Sequence, residues 1–235
     1  MASGQSNTVR AERKASRPLP VPGTTSQSER RVLLTDPDGA AAESIRVLRT
    51  RLQSQHLQLG RRALAICGPT PEVGATFVAV NLAISMAQIG VKTLLVDADL
   101  RNPSVHTYFE PKLVGGGLFA CLTSFSDSIA DFTDENVLPN LDVLRAGQPD
   151  SAAHELLSGD KFPEIINNCV RDYDMTIIDT PPANSCADGL RISTVTGFAL
   201  IVSRKNRTLV SDVRVLADQL RTERARAVGT VLNNF

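Results

Sequence analysis

Gly68-Pro69-Thr70-Pro71-Glu72-Val73-Gly74-Ala75-Thr76, running on into Phe77-Val78-Ala79-Val80-Asn81-Leu82-Ala83, reads as a strand-to-helix turn shaped to cradle a phosphate. Gly68 and Gly74 let the backbone approach an anion. The helix that follows offers unpaired N–H groups and a positive dipole end. Thr76 would place a hydroxyl on Mg2+. Such a loop normally carries Lys just before its Ser or Thr, and here that position is Ala75. Taken alone, the stretch is also an ordinary strand–loop–helix with two glycines.

Outward from the loop, short apolar runs alternate with helical stretches. Strands are expected at Ala63–Cys67, Thr93–Val96, Leu141–Leu144, Thr176–Ile178, Ala199–Val202 and Val228–Leu232. Helices are expected over residues 40–56, 76–87, 152–171, 186–195 and 208–223, the last with Leu209, Val213, Leu216 and Leu220 at a spacing of three to four. Strands apolar throughout belong to a parallel sheet covered on both faces. Ligands of such sheets bind at the C-terminal strand ends. The expected fold class is therefore α/β, a mostly parallel sheet with helices on both faces.

Two further runs place carboxylates at those ends. Val96-Asp97-Ala98-Asp99-Leu100-Arg101-Asn102-Pro103 sets Asp97 and Asp99 two apart, on one side of an extended chain. Like charges so close are costly unless a cation shares them. Mg2+, held partly through water, is the natural resolution. Ile177-Ile178-Asp179-Thr180-Pro181-Pro182 carries Asp179 out of the core, suited to a Mg2+-bound water or to Thr76. Each run alone is a polar strand end; together, in this order, they describe a nucleotide site. A fourth pattern, Glu43-x-x-Arg46-x-x-Arg49, lines one face of the first helix, where Glu43 and Arg46 can pair.

Composition narrows the classes. The chain has 235 residues, the size of one α/β domain with a tail, and 42% are hydrophobic. Trp is absent and aromatics make up 4%, which argues against base stacking and so against a nucleic-acid partner. Net charge is zero but uneven: residues 1–62 hold 11 Lys and Arg against 5 Asp and Glu. Residues 1–30, rich in Ser, Arg and Pro, read as a disordered basic arm, and 31–235 as the folded domain. The arm could meet an anionic surface or remain solvated. The four cysteines show no metal or disulfide pattern, which fits a reducing compartment. No run approaches the ~18 apolar residues of a membrane span. No apolar segment follows the N-terminal charges, so no secretory signal is expected.

Over residues 30–235 the chain resembles the cytoplasmic ATP-binding domain of bacterial tyrosine kinases, partners of polysaccharide chain-length determinants. The resemblance rests on Glu43 to Thr50, Pro71 to Ala83, Asp97 to Pro103, Ile178 to Pro182 and Gly229-Thr230-Val231-Leu232-Asn233, in that order. It implies a P-loop NTPase fold, ATP or ADP with Mg2+ as cofactors, and phosphate contacts from Pro71, Gly74, Ala75, Thr76, Phe77 and Arg101. It implies Asp97 as base or phosphate-side acid, Asp99 as a metal-linked carboxylate, and Thr76 and Asp179 as further metal-side groups. Glu43, Arg46 and Arg49 would join subunits into a homo-oligomeric ring. A membrane chain-length determinant would activate the kinase and hold it, cytoplasmic, at the inner membrane.

The chain departs from the family pattern in several places. Ala75 replaces Lys, and Glu72-Val73 replace Gly-Glu. Losing one charge-assisted contact of roughly 1.5–3 kcal/mol would weaken nucleotide binding about 10–150-fold, and phosphoryl transfer more. The family's C-terminal tyrosine cluster has no counterpart in this sequence, whose tyrosines, Tyr108 and Tyr173, read as packing residues. Gly197 stands near a usual Asp. Two functions are therefore expected in competition: a nucleotide-binding kinase-like protein of exopolysaccharide synthesis or export, and a catalytically silent oligomerising adaptor of the same machinery. A partitioning-type ATPase of the septum-placement group is a third, but it would carry an early Lys where this chain has Pro69-Thr70-Pro71.

Overall fold

The computed structural model describes residues 30–110, 112–126, 128–148 and 153–234. Most of the expected basic arm, residues 1–29, lies outside the described residues. The strands are β1 (Ala63–Cys67), β2 (Thr93–Asp97), β3 (Asp134–Leu138), β4 (Leu141–Leu144), β5 (Met175–Asp179), β6 (Phe198–Arg204) and β7 (Arg226–Asn233). They form one sheet in the order β3-β4-β2-β5-β1-β6-β7. Every pairing is parallel except the β3–β4 hairpin.

The three central strands β1, β2 and β5 are buried at every position, which is why they read as unbroken apolar runs. The helices are α1 (Val32–Thr35), α2 (Ala40–Gln55), α3 (Ala75–Gln88), α4 (Leu118–Thr123), α5 (Ala153–Ser158), α6 (Lys161–Asp172), α7 (Asp188–Thr196) and α8 (Val210–Thr222). One face of the sheet packs α1, α2 and α3; the other packs α4 to α8. Helix α3 is apolar nearly all round because it is sandwiched: the sheet lies beneath it, and Ala42, Ile45 and Leu52 of α2 cover it. Burying Ile45 and Leu52 contributes about 1.5–3 kcal/mol each.

Several expectations change. The stretch 152–171 is two helices, broken at Gly159-Asp160. Leu209 does not join the α8 stripe: it is the extended residue before the helix and is 65% exposed. Strand β3 was not foreseen, because Asp134-Glu135-Asn136 on an edge carries no apolar run. Gly197, standing near a usual Asp, ends α7 with φ at +72°, where a residue with a Cβ is strained.

Candidate functional site

The loop between β1 and α3 is held by its carbonyls. Gly68 O and Pro69 O accept from the amides of Ala183 and Asn184, at 2.9 and 3.1 Å. Glu72 O accepts from Arg204 Nη1 at 3.2 Å. Asn233 Nδ2 donates to Val73 O at 2.8 Å and to Gly74 O at 3.4 Å. The amides of Glu72 to Thr76 have no partner among the described residues. Gly74, at φ +86°, turns the chain into α3. Five successive free donors at a 14-residue helix N-terminus are an arrangement suited to an oxyanion. Val73 is buried and anchors the turn: a Cβ on Gly68 would lie 2.4 Å from its Cγ2.

The parallel register brings the carboxylates beside this turn. Asp97 and Asp179 are direct partners across β2–β5, and Ile66, just before the loop, partners Asp179 on the other side. Both aspartates are buried. Asp97 Oδ1 accepts the Asp99 amide, and Oδ2 accepts those of Ser104 and Val105 at 3.1 and 3.0 Å. Thr76 Oγ1 lies 2.8 Å from Ser104 Oγ, and the Thr76 side chain sits close enough to the Asp179 carboxylate to favour its charged form. Among the described residues, Asp179 Oδ1 has no hydrogen-bond partner.

Burial pushes the Asp97 carboxyl up to about 7 against the pull of its three amides, and nearby Asp99 adds to the rise. Burial, then the Asp97 charge, hold Asp179 well above the usual carboxylate range. Two adjoining buried carboxylates with one orphaned oxygen have the form of a cation site. Among the described residues no three ligands form a closed metal cage. Mg2+ rarely requires one: it binds through one or two carboxylates and completes its shell with phosphate oxygens and water. Thr76 and Asp179 fit that role.

Asp99 sits past the strand, where its Oδ1 accepts from the amides of Arg101 and Asn102 and fixes the turn. Beyond Asp97 opens a cavity of about 570 Å3, lined among others by Pro103, His106, Leu113, Phe119 and Arg145.

Three expected site residues sit differently. Arg101 is committed elsewhere: its Nε lies 2.8 Å from Oδ2 of buried Asp188, at the start of α7. The Phe77 side chain is half-buried against the core cluster that also holds Val73. Arg49 turns inward, with Nη1 within 3.4 Å of Ser85 O and 3.3 Å of Ser85 Oγ, because α3 runs beneath α2. Pro71 lies in the turn, and Ala75 opens α3. Glu43 and Arg46 pair on the outside at 3.3 Å.

Both tyrosines are buried. Tyr173 donates to Asp142 at 2.8 Å, and burial pushes the Tyr108 hydroxyl up to about 12. Sequence reasoning missed the loop's outer supports, Asn233, Arg204 and Arg207. Asn233 closes a quoted motif, but nothing local ties it to a turn 160 residues away.

The AAA domain family model matches residues 62–206. The tyrosine-protein kinase YwqD of Bacillus subtilis is 30% identical over 210 residues, covering 88% of this chain and 87% of that protein. The tyrosine-protein kinase ptk of Acinetobacter johnsonii is 30% identical over 198 residues, covering 84% of this chain but 27% of that protein. The chain spans about a quarter of the length of the first curated relatives it matches. The kinase domain of the Escherichia coli tyrosine kinase ETK superposes with a TM-score of 0.81 at 28% identity, covering 87% of this chain and 79% of that one. A seven-stranded, mostly parallel sheet around a phosphate-binding turn, with these relatives, places the chain on the P-loop NTPase fold and in the bacterial tyrosine-kinase family.

Proposed function

We propose that this protein binds a nucleoside di- or triphosphate with Mg2+ and acts in exopolysaccharide synthesis or export beside a membrane chain-length determinant. The observation that carries this is a run of five unpartnered amides that ends at Thr76, together with the buried Asp179 carboxylate and its orphaned oxygen. The amides take the phosphates, and Thr76 and Asp179 hold the metal. Asp97, buried with a carboxyl near 7, is poised to accept a proton from an acceptor hydroxyl arriving through the adjoining cavity. Ala75 leaves the transferring phosphoryl group without its usual ammonium, so binding outlasts turnover.

A second reading has one specific observation in its favour. Ala75, with both tyrosines buried, suits a nucleotide-gated adaptor that oligomerises through Glu43 and Arg46 and transfers nothing. Calorimetric titration with ATP and ADP, with and without Mg2+, followed by radiolabel transfer, separates the readings. We expect Mg2+-dependent binding with slow label transfer. Binding with no transfer leaves the adaptor, and flat heats to millimolar nucleotide remove the nucleotide from both.

A further inference from the structure

The missing lysine raises a question of charge: which cation near the loop can meet a polyphosphate? Arg101 is held by buried Asp188. On the other flank, the turn after β6 presents Arg204 and Arg207 to the loop, with Asn206 at φ +62° bending the chain between them. Arg204 Nη1 reaches Glu72 O, and Arg207 Nη1 lies 2.8 Å from Glu72 Oε2. Glu72 itself sits at φ +59°, a left-handed conformation that few residues other than glycine adopt. Arg204, on the Glu72 carbonyl, and buried Val73 beside it hold it there. An acidic side chain at the rim of a phosphate turn repels the ligand unless a cation accompanies it. Here one does, and the pair is open: the side chains of Arg207 and Glu72 are 62% and 74% exposed.

We infer that Arg207 supplies, from outside the loop, the positive charge that Ala75 withholds. Glu72 parks the guanidinium at the rim. On arrival of the β- and γ-phosphates it exchanges one carboxylate partner for phosphate oxygens. An exposed ion pair is worth little, so the exchange costs little, whereas guanidinium–phosphate pairing is among the stronger charge-assisted contacts. Breaking the carboxylate contact and forming the phosphate contact conserves charge and moves no proton. This rests on the nucleotide reading above and assigns Arg207 as a phosphate-binding residue.

The test is calorimetric titration of the full chain with Mg2+-ADP and Mg2+-ATP, with adenosine measured by competition. Arg207→Ala is expected to weaken ADP and ATP about tenfold, the low end for one charge-assisted contact, and to leave adenosine unchanged. Arg207→Lys keeps the charge and should stay within about threefold. In the Ala75→Lys background the same Arg207→Ala change should cost less than in the parent, because both cations answer one charge. The unfolding midpoint without nucleotide should not move, which shows that the variant folds. Unaltered ADP binding by Arg207→Ala overturns the inference and leaves the nucleotide reading standing. Equal loss of ADP and adenosine also overturns it. Flat heats for the parent chain remove both.

Discussion

Asp179 keeps one buried carboxylate oxygen without a partner while the other side of the group meets Thr76, an arrangement that costs the resting protein stability. A neutral amide at 179 relieves the repulsion with Asp97 but cannot hold a cation. Asp179→Asn should therefore raise the nucleotide-free unfolding midpoint at pH 8 by a few degrees and abolish the gain in ADP affinity that Mg2+ brings. Melting curves and titrations with and without the metal check both halves, and a lowered midpoint would contradict the first. At position 75 the expectation runs the other way. An ammonium beside five free amides adds one charge-assisted contact, so Ala75→Lys should tighten ATP by about 10–150-fold. If affinity does not rise, Glu72 and Val73 have moved the turn away from the geometry that the ammonium serves. His56 is a third residue with a readable sign. It is buried against Phe198, edge to face, with Nε2 on Ala63 O, and burial lowers its pKa. The unfolded chain therefore binds the proton more readily, so stability is full above about 6.5 and falls as pH drops through the lower folded value. His56→Gln, which can still donate to Ala63 O, should flatten that acid limb in thermal melts between pH 7 and 5.

The phosphate turn works as an element because its carbonyls are fastened from three sides: the turn after β5, the end of β6, and the end of β7. Asn233 is a buried side-chain tie. Asn233→Ala leaves Val73 O without its partner, a loss of about 1–3 kcal/mol, or roughly 2–9 °C in midpoint for a domain of this size. Nucleotide binding should weaken as well, since the amides lose their aim. A normal midpoint with normal ADP heats would show that the turn holds itself. This also marks how far the sequence could be read. β1, β2 and β5 were legible because burial on both faces leaves only apolar residues, and their carboxylates were legible because charge at the end of such a run is conspicuous. Thr76 and Asp179 were singled out by their motifs, and the register of β2 and β5 sets Asp179 beside Asp97. Strand β3 was hidden by its polar edge, whereas the break at Gly159 was signalled by Gly159-Asp160 and Pro163 and was passed over. The pairing of Arg101 with Asp188 and the supports from Arg204, Arg207 and Asn233 join residues 87 to 160 positions apart. No local pattern encodes such contacts; they appear only once the strand order is known.

At the scale of the whole molecule, the proposed assembly asks which surface would meet another copy, and α2 divides into two faces that answer differently. Its inner face is spent on α3, through Ala42, Ile45, Leu52 and the Arg49 guanidinium on Ser85. Its outer face carries the Glu43–Arg46 pair, with Arg46 Nη2 also on Pro37 O at 2.7 Å, and exposed Val47. An exposed i,i+3 pair adds only a few tenths of a kcal/mol to its own chain. Removing it should leave stability alone and reveal any role between subunits. Glu43→Ala with Arg46→Ala is thus expected to keep the unfolding midpoint within about a degree and to shift sedimentation toward monomer. Arg49→Ala should do the reverse: it strips two hydrogen bonds from a half-buried contact, lowering the midpoint before it alters assembly. Sedimentation velocity at several concentrations, beside melts of the same samples, separates the two. If the double variant sediments as the parent does, α2 is a solvated cover for α3, and assembly, where it occurs, uses another face.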